Sequence, residues 1–257
     1  MGRTVNIAED VKAVLHFYQS LGFDRLPITI EKKGSGGQGF KGSRVGEVRG
    51  SGEILAEPRA PYNVRTSELS SNEKKLALEA LREELGDCRR CKLSKGRTHI
   101  VFGEGNPGAV LMFIGEAPGR EEDIQARPFV GDAGKLLTNL ILKMGLKRED
   151  VYIGNIIKCR PPQNRDPEED EMRMCMPFIE RQVEIISPRV IVALGRISAQ
   201  TLISTKIPIS KLRGRFCEFK GIPLMPTFHP AYLLRNPRDK WLVWEDARKV
   251  IEKLGEA

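Results

Sequence analysis

The 257 residues include 42 Lys and Arg against 34 Asp and Glu, a formal net charge of +8 and a pI near 9.3. No apolar run is long enough to cross a bilayer, and the first residues lack a charged start followed by an apolar core, so a cytoplasmic protein is expected. The charge favours a polyanionic partner, and nucleic acid over membrane, because no basic amphipathic helix with a bulky apolar face is evident.

Residues 7 to 22 place Val11, Val14, Leu15, Tyr18 and Leu21 at helical spacing behind Glu9 and Asp10. This pattern predicts an N-terminal amphipathic helix within residues 1–30, suited to docking a partner or capping the protein itself. Eight glycines then fall between Gly34 and Gly52, and residues 31–70 read as a flexible linker with too little apolar surface to offset its ordering entropy. Only 10 of the 42 basic residues precede Ser71, so the basic excess belongs to the remainder, residues 71–257, which read as one domain. There Ser70 and Glu73 have capping-box spacing, Leu78, Leu81 and Leu85 form a stripe, and Gly86 suits a helix end.

Beyond Gly86, short apolar runs alternate with helical patterns. Candidate strands are Val110–Ile114, Val151–Ile157, Val190–Leu194, Phe216–Phe219 and Ile222–Phe228. Candidate helices are Lys135–Met144, Pro167–Ile186, Ile197–Ile203 and Arg238–Leu254, with Asp166 capping and Pro167 opening the second. This βα alternation predicts an α/β three-layer sandwich, with a mostly parallel sheet of about four strands between helices.

Five cysteines punctuate this domain. Cys88 and Cys91 form a C-x2-C pair, Cys159 and Cys175 follow singly, and Cys217 alternates with Phe216 and Phe219 in a strand and reads as buried. A C-x2-C pair in a cytoplasmic chain points to metal or redox chemistry rather than a disulfide. Structural zinc normally shows a second close pair, which is absent, whereas iron–sulfur ligands are spaced more freely. Cys175, between Met174 and Met176, can equally be a small core residue.

The richest stretch is Leu111–Gly134, LMFIGEAPGREEDIQARPFVGDAG. An apolar strand stops at Gly115, and a loop with Glu116, Glu122, Asp123 and Phe129 follows; ligands of open α/β sheets bind outside such strand ends. Asn155 sits inside an apolar strand, where its amide needs a partner, be it neighbouring backbone or the edge of a planar base. Of three histidines, His16 falls in the N-terminal helix and His99 in a loop. His229 closes a strand and leads into Pro230-Ala-Tyr-Leu-Leu-Arg235. Leu233 and Leu234 there either wedge between DNA bases or face the core of a helix.

Taken together, these motifs resemble the family-4 uracil-DNA glycosylases, the iron–sulfur branch of the uracil glycosylase superfamily. The resemblance covers roughly Leu85 to Leu254 and rests on Gly115-Glu-Ala-Pro-Gly119 with Glu122-Asp123, Arg127-Pro-Phe-Val-Gly131, Asn155, His229 to Arg235 and the four cysteines. It implies a monofunctional glycosylase that hydrolyses the N-glycosidic bond of uracil in single- or double-stranded DNA and so initiates base excision repair. It further implies a 4Fe–4S cluster on Cys88, Cys91, Cys159 and Cys175, uracil binding by Glu116, Ala117, Phe129, Asn155 and His229, and a DNA-intercalating loop of Tyr232, Leu233, Leu234 and Arg235. Catalysis falls to His229, Glu116 and Glu122, with the choice of carboxylate open, because Ala117 stands where the cluster-free branch has its water-activating aspartate. Ala126 replaces a frequent glycine and is expected to tighten its loop. The expected protein is a monomer, with a possible replication or repair partner for the N-terminal helix. A covalent uracil-capturing relative is the first alternative, disfavoured because Lys158–Arg165 lacks the histidine of that group's extra loop. A non-catalytic cluster-bearing nucleic-acid-binding module is the second.

Overall fold

The structure, a computed structural model, describes residues 69–256. The expected N-terminal helix, with His16, and all but the last two residues of the Gly-rich linker lie outside them.

The first described helix, α1 (Ser71–Leu85), starts where the sequence requires. The Ser70 side chain accepts from the Glu73 N–H, the Glu73 carboxylate accepts from the Ser70 N–H at 2.8 Å, and Gly86 caps the far end at φ 48°. Six strands follow: β1 (Glu104–Gly105), β2 (Leu111–Gly115), β3 (Tyr152–Asn155), β4 (Val190–Leu194), β5 (Cys217–Phe219) and β6 (Ile222–Thr227). They form one sheet in the order β1-β3-β2-β4-β6-β5. The four central strands run parallel, as the pattern predicts, and the two outer pairings, β1 on β3 and β5 on β6, are antiparallel. Every residue of β2, β3 and β4 is buried, as expected of parallel strands covered on both faces.

The remaining helices are α2 (Arg120–Gln125), α3 (Asp132–Lys143), α4 (Glu169–Ile186), α5 (Arg196–Ile203), α6 (Ile209–Leu212), α7 (Pro230–Arg235) and α8 (Lys240–Gly255). Alternation along the strands divides the core. Leu111, Phe113, Ile153, Val192 and Met225 pack with Leu137 and Ile141 of α3 and with Ala247 and Val250 of α8. On the other face α4 lies against β3, where a methyl on Gly154 would sit 3.4 Å from Ile179 Cδ1. α1 is tied to α4 by Lys74 Nζ, which donates to the Ile186 carbonyl at 2.8 Å, and by the Arg181–Glu84 pair at 2.6 Å.

Two local expectations are corrected. α4 opens at Glu169 rather than Pro167, because Glu171 reaches back to the Glu168 N–H and also takes Arg165 at 2.6 Å, while Asp166 pairs with Arg196. Cys217 is partly exposed, since it lies on a short edge strand whose outer side is uncovered. His99 lies in an exposed loop, as expected, where its Nδ1 contacts the Asp123 carbonyl at 2.8 Å and the N–H groups of Thr98 and His99 donate to the buried Asp123 carboxylate.

The face under α8 holds a buried ion pair. Asp246 accepts from Thr227 Oγ1 at 2.6 Å and from Arg213 Nη2 at 2.6 Å. Breaking such a pair from one side leaves an uncompensated charge at a cost of about 3–5 kcal/mol. Asp246→Ala is therefore expected to lower the unfolding free energy by that amount, read as a lower urea midpoint at unchanged slope, and an unmoved midpoint would show that the pair contributes nothing.

Candidate active site

The carboxyl ends of the parallel strands bring together residues far apart in sequence. Gly115 is directly opposite Asn155 across β2 and β3, the Ile156 and Ile157 N–H groups donate to the Gly115 and Glu116 carbonyls, and the Gly195 N–H donates to the Thr227 carbonyl at 2.9 Å. Asn155, Glu116, Gly195 and His229 thus lie along one rim of the sheet.

Asn155 is 1% exposed, and its Oδ1 is the one buried side-chain nitrogen or oxygen among the described residues without a hydrogen-bond partner. An unsatisfied buried acceptor costs about 1–3 kcal/mol, so an amide held this way is poised for a ligand. Its neighbours leave no room for a side chain at position 115. A methyl on Gly115 would come within 2.3 Å of Asn155 Oδ1 and 2.6 Å of Phe129 Cζ.

Phe129 is buried and held at φ 52°, a left-handed conformation costly for a non-glycine residue. The surrounding contacts fix it there. Glu122 Oε1 accepts from the Val130 and Gly131 N–H groups at 2.9 and 3.0 Å, and its Oε2 accepts from Gly119 N–H at 3.1 Å. Arg148 Nη2 donates to the Pro128 carbonyl at 2.5 Å and to Glu104 Oε1 at 2.9 Å, while Arg127 takes Glu104 Oε2 at 2.7 Å. Gly134 passes so close beneath that an added methyl would sit 1.9 Å from the Phe129 carbonyl oxygen. Ala126 caps α2 at φ 56°, so the alanine puts strain into this loop beyond the expected tightening.

His229 is the N-cap of α7. Its Nδ1 accepts from the Ala231 N–H at 3.1 Å, which places the proton of the neutral ring on Nε2. Burial, outweighing the nearby Glu122 and aided by Arg235, pushes its pKa down to about 4. The ring lies 5.6 Å from that of Phe129, and Gly195, at φ 92°, has no side chain to collide with it. Glu116 differs from Glu122. Its carboxylate takes no hydrogen bond from a described residue, and burial, with Asp166 adding to it and Arg196 opposing, raises its pKa to about 7.

The segment after His229 divides by helical phase. Pro230 and Leu233, three apart, face inward, so Leu233 is 6% exposed and belongs to the core; Leu234 is 46% exposed and Arg235 lies open beside it. Tyr232 stacks on Phe228 at 4.8 Å and donates to Asp239 at 2.6 Å. Of the four residues expected to intercalate, Leu234 and Arg235 are free to meet DNA in this conformation.

Cys88, Cys91, Cys159 and Cys175 line one pocket, bordered by Leu85, Arg97 and Lys158, and all four are free thiols. Three N–H groups point at their sulfurs: Arg90 Nη1 to Cys88 at 3.3 Å, Arg97 Nη1 to Cys159 at 3.5 Å and the Lys158 amide to Cys175 at 3.3 Å. No three His, Cys, Asp or Glu groups among the described residues are placed to hold a single metal ion.

Sequence reasoning missed Arg148, Gly195 and Lys158. Arg148 stands in Lys147-Arg-Glu-Asp150, which reads as a charged surface turn; Gly195, directly after an apolar strand, was the visible signal.

Residues 102–249 match the sequence model of the uracil DNA glycosylase superfamily. Similar proteins include the Type-4 uracil-DNA glycosylases of Saccharolobus solfataricus, 50% identical over 69% of this chain and 86% of that protein, and Sulfurisphaera tokodaii, 48% identical over 68% and 84%. That of Thermotoga maritima is 46% identical over 67% of this chain and 92% of its own length. The chain belongs to the uracil DNA glycosylase superfamily and, within it, to the Type-4 family.

The closeness at Gly115 is testable. Gly115→Ala must displace Asn155 or Phe129, and a misplacement of about 1 Å costs about 100-fold in turnover. The variant is expected to lose at least that factor in uracil release and to unfold at a lower temperature, as an overpacked site does; near-normal release would mean that the rim tolerates the methyl.

Proposed function

We propose that this chain excises uracil from DNA by hydrolysing the N-glycosidic bond, the first step in repair of deaminated cytosine. The observation that carries the reading is the unpartnered amide oxygen of buried Asn155, facing Gly115 and Phe129 and on the same rim as a neutral His229. Uracil presents an N3–H donor beside an O4 acceptor, matching an amide that accepts with its oxygen and donates with its nitrogen. Cytosine presents the reverse pattern and leaves both amide groups unpaired, a rejection worth several kcal/mol. Extrusion of the base from a duplex costs a few kcal/mol, least where pairing is already lost, and Phe129 supplies the stacking face that receives it.

Cleavage sends the bonding electrons onto uracil and leaves positive charge on the sugar. His229 acts as an oxyanion donor: its Nε2–H meets the charge developing at uracil O2, and its low pKa keeps the ring neutral, so it donates a hydrogen bond without surrendering a proton. Glu116 is the carboxylate placed to support the cationic sugar and orient water, since Glu122 is fully engaged by three backbone N–H groups. Glu122 acts by holding the Phe129 loop. Leu234 and Arg235 fill the gap left in the stack.

Cys88, Cys91, Cys159 and Cys175 would hold a 4Fe–4S cluster. The donor set fits: four thiols face one pocket, spread more widely than a single ion allows, with three N–H groups aimed at sulfurs that carry negative charge when ligating. When bound, the cluster supplies structural cross-linking between Cys88–Cys91, the segment after β3 and α4. The enzyme works as a cytoplasmic monomer on single- or double-stranded DNA, and residues 1–30 serve a replication or repair partner.

Uracil release from a uracil-containing oligonucleotide is the decisive assay, and a protein that binds the oligonucleotide without releasing base would overturn the hydrolase reading. His229→Ala is expected to slow release by about 100- to 1,000-fold, the loss of one oxyanion donor, with DNA affinity retained. The pH profile carries the Glu116 assignment. Because its pKa is raised to about 7 and the ionised form is the working one, release should rise with pH through about 7. Arg196 opposes that rise in pKa, so Arg196→Gln should move the limb to higher pH; a limb that stays put would remove Glu116 from the mechanism. Leu234→Ala should slow excision from duplex more than from single strands, and equal losses would refute the wedge.

A further inference from the structure

Lys158 is one of the largest fully buried side chains, at 1% exposure. Its Nζ donates to the Asn155 carbonyl at 2.8 Å and to Gln182 Oε1 at 2.6 Å, both neutral acceptors. Gln182 is itself fixed, its Nε2 donating to the Phe102 carbonyl at 2.9 Å and to the Tyr152 hydroxyl at 3.1 Å. At its other end the lysine is bound into the thiol pocket: its N–H donates to Cys175 Sγ at 3.3 Å, it precedes Cys159, and its carbonyl accepts from Val101 N–H at 2.8 Å. A buried ammonium without a carboxylate is costly, and cores normally dispense with one in favour of an apolar side chain of similar volume. A methionine would fill this space. What the lysine adds is a rigid link of a few ångströms between the cysteine pocket and the main chain of Asn155.

We propose that Lys158 is a positioning residue for uracil recognition: it is the strut through which the four-cysteine pocket fixes the main chain, and hence the amide, of Asn155. The inference rests on the uracil-reading role proposed above for Asn155. Residues 156 and 157 already pair with Gly115 and Glu116, so the strand end is held from its β2 side by backbone bonds. Lys158 holds the same peptide from the α4 side, so the backbone that carries the Asn155 amide is fixed from two directions. Order at the pocket is thereby transmitted to the base-reading group without any contact between the pocket and the base.

The test compares holoenzyme Lys158→Met with wild type by three measurements: iron and sulfide per chain, inhibition of excision by free uracil, and affinity for a uracil-free duplex. A strut predicts unchanged iron and unchanged duplex affinity, with inhibition by free uracil weakened at least tenfold. A lysine that merely fills the core predicts a lower melting temperature with inhibition unchanged, and that result would overturn the proposal. Loss of iron from the variant would overturn it too, by showing that Lys158 serves the cysteines rather than the asparagine. Should Lys158→Met fail to fold, Gln182→Met, which removes the other acceptor without touching Asn155, is expected to weaken inhibition two- to threefold, and no change there would equally refute the strut. Absence of iron from the wild type would count against the cluster and leave the strut standing, since its hydrogen bonds involve protein atoms alone. Wild-type excision insensitive to free uracil would instead count against the reading of Asn155.

Discussion

The site depends on how closely two side chains approach the α-carbon of Gly115. Parallel pairing puts Gly115 opposite Asn155, and the Phe129 ring closes over the same point. Neither side chain could take its place if residue 115 carried even a methyl group. For the proposed recognition of uracil, an amide and an aromatic ring have to meet a planar base from different directions, and the missing side chain lets them share one corner. Gly134 and Gly195 repeat the device, one beneath the Phe129 backbone and one beside His229. Rigidity then has to come from elsewhere, because glycines contribute none.

It comes from carboxylates that tie the loops together. Glu122 gathers three N–H groups, Asp123 those of residues 98 and 99, and Glu104 joins Arg127 to Arg148. Their combined effect is to keep Phe129 in a backbone conformation that an isolated phenylalanine would leave. Glu116 stands apart from this group. It takes no hydrogen bond from a described residue and is half-buried, and burial keeps its pKa raised, which sets it apart from the carboxylates that tie the loops together.

Much of this was legible in the sequence, for identifiable reasons. The parallel core strands announce themselves as apolar runs, α1 by its capping box, and the site by the order of its motifs. What stayed hidden was phase and partnership. Whether Leu233 or Leu234 faces outward depends on where α7 begins, and a six-residue helix has too few turns to reveal its stripe. Glu116 and Glu122 look alike in the chain and diverge only when one folds back onto its own loop. Lys158 and Arg148 act across 24 and 20 residues or more, on Gln182 and Pro128, and no local pattern encodes such reach.

The ion pairs also bear on how this protein would feel a phosphate backbone. The basic residues near the strand ends are not equally available: Lys92 and Arg165 are engaged by the carboxylates opening α4, Arg196 by Asp166, and Arg127 and Arg148 by Glu104. Following the carboxyl ends of β2 and β6, Arg120, Arg235, Arg238 and Lys240 form no ion pair among the described residues. Each phosphate neutralised releases counterions and steepens the salt dependence of binding by about 0.9 in logarithmic slope. A phosphate backbone laid along these strand ends would therefore meet these four side chains without first having to break an ion pair.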